Sequence, residues 1–246
     1  MKGFRGLWLI RFGFDLLIDD FKFKFVSMIN NVQILENGED LVYIPKDFLC
    51  EPMYFNQGLT TDSSMKLREQ VIEKLLQAKK KLPKGWNFKI WDGYRPLSVQ
   101  KKLYSGLTRL RRKEHPEWDS TKLKVEVEKF VAYPSYDRLC PSPHNTGGAV
   151  DLTIVNDQGE ELQMGTLFDE FNEKSYKDYF EMRENYAMED LRMTEEFQKN
   201  RDILDGILRE AGFAPYKWEW WHFSFGDIDW AEYYGKDVAI YGSKEL

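Results

Sequence analysis

Residues 142–154 read SPHNTGGAVDLTI. The first half is turn chemistry: proline, asparagine and two adjacent glycines, the residues that fix or permit loop backbone angles. The second half is a strand. From 149 to 155 alternation places Val150, Leu152 and Ile154 on one face and Ala149, Asp151 and Thr153 on the other. Asp151 is the only charge in this apolar run, and a buried carboxylate without a partner would be costly. His144, one of three histidines in the chain, precedes it on the loop.

Outward from this strand, the sequence punctuates itself. Asp157-Gln158-Gly159 signals a hairpin turn. Upstream, residues 62–82 read as an amphipathic helix capped by Asp62 or Ser63, with Leu67, Val71, Leu75 and Leu82 on one stripe and Pro83 and Gly85 ending it. WNFKIW (86–91) alternates Trp86, Phe88 and Ile90 against polar neighbours and predicts a second strand. DGYRP then turns the chain. Pro96 suits the first turn of a helix running to about Arg112, with Val99, Leu103, Leu107 and Leu110 inward. A further helix is expected at 120–132, a loop at 133–148, and a helix at 200–211 ended by Gly212. WEWWHFSF (218–225) is almost wholly aromatic and reads as a buried strand. Short strands and separate helices in mixed order predict an α+β fold: a single domain with a central antiparallel sheet flanked by helices.

The 246 residues suit one domain, or at most two small ones, and are enough to bury a sizeable core. With 35 basic and 41 acidic residues the net charge is −6, which presents no basic face to nucleic acid. Cys50 and Cys140 make no disulfide framework and fit a reducing compartment, so a cytoplasmic protein is expected. The opening MKGFRGLWLIRFGFDLLIDDFKFKF begins with Lys2 and Arg5, but Arg11 and Asp15 interrupt it and no small-residue cleavage site follows. It is too broken for a transmembrane helix. Export remains the alternative that this apolar stretch keeps open. Residues 1–30 are taken as an N-terminal extension, with Met28 as a candidate start, and 31–246 as the functional domain. Oligomeric state has no signature in the sequence.

His222 lies in the aromatic strand and Glu219 three residues before it. With His144 and Asp151 they offer two imidazoles and carboxylates. Two imidazoles and one carboxylate are a common zinc set that leaves a fourth position for water. A nearby carboxylate can take that water's proton, and Glu219, the only charge in WEWWH, is the natural base. On a straight strand residues 219 and 222 point to opposite faces. Both reach one metal only across a bend or bulge, or if Glu219 precedes the strand. Each residue also has a plain structural reading. A buried histidine is more often core than ligand, Glu219 could be a rim charge beside packed tryptophans, Arg95 a loop-bracing arginine and Gly147-Gly148 only a turn. His115, in KEHPEW, fits a helix end.

WDGYRP, SPHNTGGAVDLTI, MGTLFDEF and EWWHF occur in this order over roughly residues 41–235. In this the chain resembles D-alanyl-D-alanine dipeptidases, zinc enzymes related to VanX and to the D,D-carboxypeptidases and L-Ala–D-Glu endopeptidases of cell-wall metabolism. The resemblance implies one zinc per chain on His144, Asp151 and His222, a catalytic base at Glu219 and a transition-state-stabilising arginine at Arg95. It places Asp169 by the amino end of a bound dipeptide and Ser142 near the substrate. The implied activity is hydrolysis of a small D,D-dipeptide, D-Ala-D-Ala, to D-alanine, in cell-wall metabolism or glycopeptide resistance. The alternatives are a D,D-carboxypeptidase or L,D-endopeptidase acting on wall peptides, and a non-catalytic zinc-binding protein. Glu219 together with Arg95 argues against the last, because a structural zinc needs neither. One departure stands out. Relatives often carry a YAT…NF stretch with a pocket tyrosine; here the region reads DFLCEPMYFNQGL, where Cys50 or Tyr54 is the candidate. The segment from Met164 to about Tyr186 is expected to cap the site, with Asp169 aimed at the dipeptide's ammonium.

Overall fold

The computed structural model describes residues 32–181 and 191–245. The N-terminal extension expected at 1–30 and the last part of the expected cap, 182–186, lie outside them. The described chain begins with β1 (Gln33–Ile34), β2 (Leu41–Tyr43), β3 (Leu49–Cys50) and a single helical turn α1 (Met53–Asn56). β4 (Lys66–Arg68) runs straight into α2 (Glu69–Lys79), followed by β5 (Asn87–Asp92), α3 (Leu97–Glu114), α4 (Ser120–Glu128), the short α5 (Pro143–Thr146) and β6 (Ala149–Val155). After two 3-10 turns come α6 (Leu191–Glu210), β7 (Ala214–Tyr216), β8 (Glu219–Ser224), α7 (Ile228–Tyr233) and β9 (Val238–Ala239).

The fold is α+β around one five-stranded sheet of order β3-β5-β6-β8-β7. The sheet is antiparallel except at one edge, where the two-residue β3 runs parallel to β5, so the expected antiparallel sheet is in fact mixed. Two small ladders flank it, β1 with β9 and β2 with β4. β6 lies at the centre with all seven residues buried. Its Val150, Leu152 and Ile154 join Phe88 and Ile90 of β5, Val71 and Leu75 of α2, and Leu204 and Leu208 of α6 in the main core. Each such side chain contributes about 1.5–3 kcal/mol on full burial. The opposite face of β6 is left for Asp151. α3 and α4 pair around a separate small cluster of Leu107, Leu123, Val127 and Val131.

Four helices differ from expectation in extent or burial. Residues 66–68 are a strand, and the helix expected at 62–82 is shorter. The Asp62 carboxylate accepts from the Ser64 N–H at 2.8 Å, so its capping capacity is used in a local turn. Leu67, Val71, Leu75 and Leu82 are nonetheless all buried. Leu110, expected inward, is 49% exposed because the α3–α4 cluster ends at Leu107. α4 stops at Glu128, earlier than 132, and is capped by Asp119, whose carboxylate accepts from the Lys122 N–H. α6 is already helical at Leu191, the first described residue after 181 and nine before the expected 200, in a stretch rich in good helix formers. Its end is as expected: Gly212 adopts φ +94. Among the described residues no helix is long and apolar enough to cross a membrane.

Candidate metal centre and active-site cavity

Antiparallel pairing of β6 with β8 sets Asp151 directly opposite His222, and directly opposed residues share a face. His144 comes from α5, one turn upstream of β6. Gly147 closes that turn at φ +74, and a Cβ on Gly148 would come within 2.4 Å of the Phe225 carbonyl oxygen. The glycine pair is therefore required by backbone geometry as well as by the turn. Together these elements bring three donors to one point. His222 Nδ1 lies 3.0 Å from Asp151 Oδ1, His144 Nε2 lies 3.3 Å from Asp151 Oδ2, and the two nitrogens are 3.1 Å apart.

All three residues are buried, and their donor atoms lie within 4.8 Å of one another. Ligands held at about 2.0–2.1 Å in a tetrahedron stand about 3.3 Å apart, so the donor set fits a zinc ion in both chemistry and spacing. His144 Nδ1 lies 2.8 Å from the Gly93 carbonyl, which can only accept, so in the neutral ring Nε2 is the lone-pair nitrogen and faces the other donors. Burial opposes a charged His222, but its hydrogen bond to the Asp151 carboxylate holds its pKa above the ordinary value. Burial likewise opposes an ionised Asp151, yet the two histidines keep it well below the usual carboxylate range.

The irregularity required between Glu219 and His222 is present. Pro215 faces Phe223, but the next residue, Tyr216, faces Glu219, so one step on β7 spans four on β8. Glu219 Oε2 thereby reaches 3.9 Å from His222 Nδ1. Burial, with the Asp151 and Asp169 carboxylates adding to it, pushes the Glu219 pKa well above the usual value.

Arg95 is held on every side. Its Nε donates to Asp92 Oδ2 at 2.8 Å, Nη1 to Gln100 Oε1 at 2.9 Å, and Nη2 to the Tyr54 hydroxyl at 3.0 Å and to Asp151 Oδ2 at 3.4 Å. Tyr54 is buried with its ring under the guanidinium, whereas Cys50 is exposed. Of the two candidates for the pocket tyrosine, the fold thus brings Tyr54 to the site. Asp169, half-buried, adopts φ +60, the only described non-glycine residue with positive φ. Burial and the Asp151 carboxylate push its pKa up to about 8, against the pull of Arg95 and a hydrogen bond with Tyr54. Its neighbour Phe168 stacks on Trp91 at 4.7 Å and meets Trp221 edge-on, which pins the start of the capping segment. Ser142 is buried, and its Oγ has no hydrogen-bond partner among the described residues.

All seven sequence-predicted site residues, Ser142, His144, Asp151, Asp169, Arg95, Glu219 and His222, line one cavity of about 650 Å³. His115 lies outside it, stacked on Trp118 at the end of α3. Sequence reasoning missed Asp92, which braces Arg95 and lies 3.3 Å from His144 Nδ1. Its signal was available: it is the lone acid ending an apolar strand inside DGYRP. Gln100 had no such signal, since an amide in a helix is unremarkable until its partner is known.

A family model described as D-ala-D-ala dipeptidase matches residues 57–238. A D-alanyl-D-alanine dipeptidase of Synechocystis sp. is 30% identical over 195 residues, covering 73% of this chain and 79% of its own length. One of Enterococcus faecalis is 30% identical over 160 residues, covering 61% and 67%. The solved vancomycin-resistance D,D-pentapeptidase VanY, described in complex with Zn(II), aligns with 85% of this chain and 96% of its own at 15% identity and a TM-score of 0.42.

Proposed function

The chain belongs to the D-Ala-D-Ala dipeptidase family of peptidases, and from that premise we propose that it hydrolyses the free dipeptide D-Ala-D-Ala to D-alanine with one zinc ion per chain held by His144, Asp151 and His222. The observation that carries this reading is the convergence, in one cavity, of a buried three-donor set with a carboxylate 3.9 Å from one donor and a fully braced arginine 3.4 Å from another. A zinc ion in this set supplies Lewis acidity and lowers the pKa of a coordinated water to about 7.

Glu219 takes the proton of the attacking water on its carboxylate and delivers it to the nitrogen of the leaving amine. Arg95, fixed by Asp92, Gln100 and Tyr54, presents Nη2 to the oxyanion without having to reorganise. Asp169 receives the dipeptide's ammonium. The free Ser142 Oγ and nearby backbone N–H groups receive its carboxylate. The D,D stereochemistry comes from the family. The catalytic domain is assigned to residues 31–246, and two free cysteines agree with a cytoplasmic setting.

The test is incubation of the zinc-loaded protein with D-Ala-D-Ala, L-Ala-L-Ala and N-acetyl-D-Ala-D-Ala, with released alanine measured. Cleavage of the free D,D-dipeptide alone is expected. Equal kcat/KM for the free and N-acetylated D,D-substrates would replace this reading with a carboxypeptidase, and no cleavage by protein carrying one zinc would refute it.

A further inference from the structure

α5, which carries His144, is a single turn and too short to hold its own geometry. Its backbone is instead held from outside. Five consecutive carbonyl oxygens are bonded: His144 by the Arg95 N–H at 3.0 Å, Asn145 by Lys244 N–H at 3.2 Å, Thr146 by Arg68 Nε at 2.6 Å, Gly147 by Arg68 N–H at 3.0 Å and Gly148 by Phe225 N–H at 3.0 Å. One of these donors, Lys244, lies in a segment, residues 242–245, that contains no recognisable motif.

That segment touches the turn with side chains too. Glu245 Oε2 accepts from Asn145 Nδ2 at 2.7 Å and from the Leu97 N–H, the first residue of α3, at 2.6 Å. Ser243 Oγ donates to Asn145 Oδ1. Asn145 Nδ2 also faces the Arg95 carbonyl at 3.4 Å. One carboxylate therefore ties the turn bearing His144 to the turn bearing Arg95. The segment is itself moored: the Gly242 N–H donates to Glu36 Oε2 at 2.6 Å, and its carbonyl accepts from Arg68 Nη2 at 3.1 Å. Arg68 is fully buried and chelated by both oxygens of Glu36.

We propose that residues 242–245 are a strap that positions His144 and Arg95, with Glu245 and Asn145 as its positioning residues, and that the strap sets the metal affinity of the site. The inference rests on the zinc reading of His144, Asp151 and His222. Without the strap, α5 keeps its bonds to Arg95, Arg68 and Phe225 but loses those at Asn145, directly after the ligand. His144 then samples more orientations, and binding must bear the entropy of restricting them. Partners bonded directly to a ligand typically change metal affinity by about 10–100-fold, and the strap, which holds the residue next to His144, is expected at the lower end of that range.

The experiment uses the full chain with Glu245→Ala, Glu245→Gln and, as a control for loss of one negative charge, Glu210→Ala at the exposed ion pair with Lys81. Three quantities are read: zinc affinity by chelator competition, the visible spectrum of the cobalt-substituted protein, and the urea midpoint of the metal-free protein. Glu245 is exposed, so Glu245→Ala removes no core packing and the urea midpoint should stay near that of the parent. Zinc affinity should fall about tenfold with an altered cobalt spectrum. Glu245→Gln keeps an oxygen for both bonds and should stay within about threefold of the parent. Ser243→Ala, which removes a single hydroxyl, should fall in between and serves if Glu245→Ala does not fold. Zinc affinity within about twofold of the parent in the Ala variants, or an equal loss in Glu210→Ala, overturns the strap. A parent protein that binds no zinc would instead sink the functional reading on which it rests.

Discussion

The two walls of the cavity are made of different material. One wall is sheet: Asp151 on β6, Glu219 and His222 on β8, with His144 on the turn that leads into β6, and every residue of both strands is buried. The other wall is loop: Tyr54 on a single helical turn, Ser142 ahead of α5, and Asp169 held at φ +60, where a non-glycine backbone is strained. On the proposed reading, the sheet wall would carry the groups that act on any peptide bond placed before them, and the loop wall those that meet the two ends of a particular substrate. Substitutions in the first should change metal content or turnover for every substrate; substitutions in the second should change the discrimination between substrates.

The largest effect expected is on the sheet wall. Glu219→Gln should retain zinc yet lose about 10²–10⁴-fold in kcat, measured by steady-state release of D-alanine alongside metal analysis. Activity within a few-fold of the parent would take the base away from this wall. Next comes Asp169→Asn, expected to lower kcat/KM for free D-Ala-D-Ala by about 10²-fold, because a buried ammonium loses its charged partner. The N-acetylated dipeptide should be little affected, and an equal loss for both substrates would erase the distinction between the walls. Tyr54→Phe removes the hydroxyl that links Arg95 to Asp169 and should cost about tenfold in kcat/KM with unchanged zinc. A change in zinc content would place Tyr54 with the sheet wall.

The smallest effect is on stability and depends on pH. In the metal-free protein the Asp169 carboxyl, pushed up to about 8, binds its proton more tightly folded than unfolded. Its contribution to stability is fully present below the unfolded value of about 3.9 and is lost as pH rises to about 8. An asparagine at this position carries no such loss, so Asp169→Asn should gain in Tm relative to the parent as pH rises through this window. A Tm difference independent of pH would mean that Asp169 does not titrate there.

The same division governs what can be read from the sequence. β6 falls at 149–155 as expected because glycines set off a strict apolar alternation, and a lone acid in such a run must have a partner. The irregularity in β8 follows from the demand that Glu219 and His222 serve one site. The loop wall has no such pattern. Tyr54 meets Arg95 across 41 residues of sequence, and only the folded chain chooses it over Cys50. The start of α2 escapes the pattern because Leu67 is buried whether its segment is strand or helix, and apolar spacing cannot separate the two.

The pairing of Asp151 with His222 has a consequence for how the chain reaches its fold. A strand shifted by one residue turns every side chain to the opposite face. In a β6–β8 hydrogen-bond ladder slipped by one, the aspartate and the histidine would no longer share a side, and no metal-binding set would exist. If the site holds a metal as proposed, an ion that favours the native donors would discriminate between registers during refolding. By mass action it would draw material from slipped pairings into the correct one, and the yield of native protein would then depend on free metal concentration.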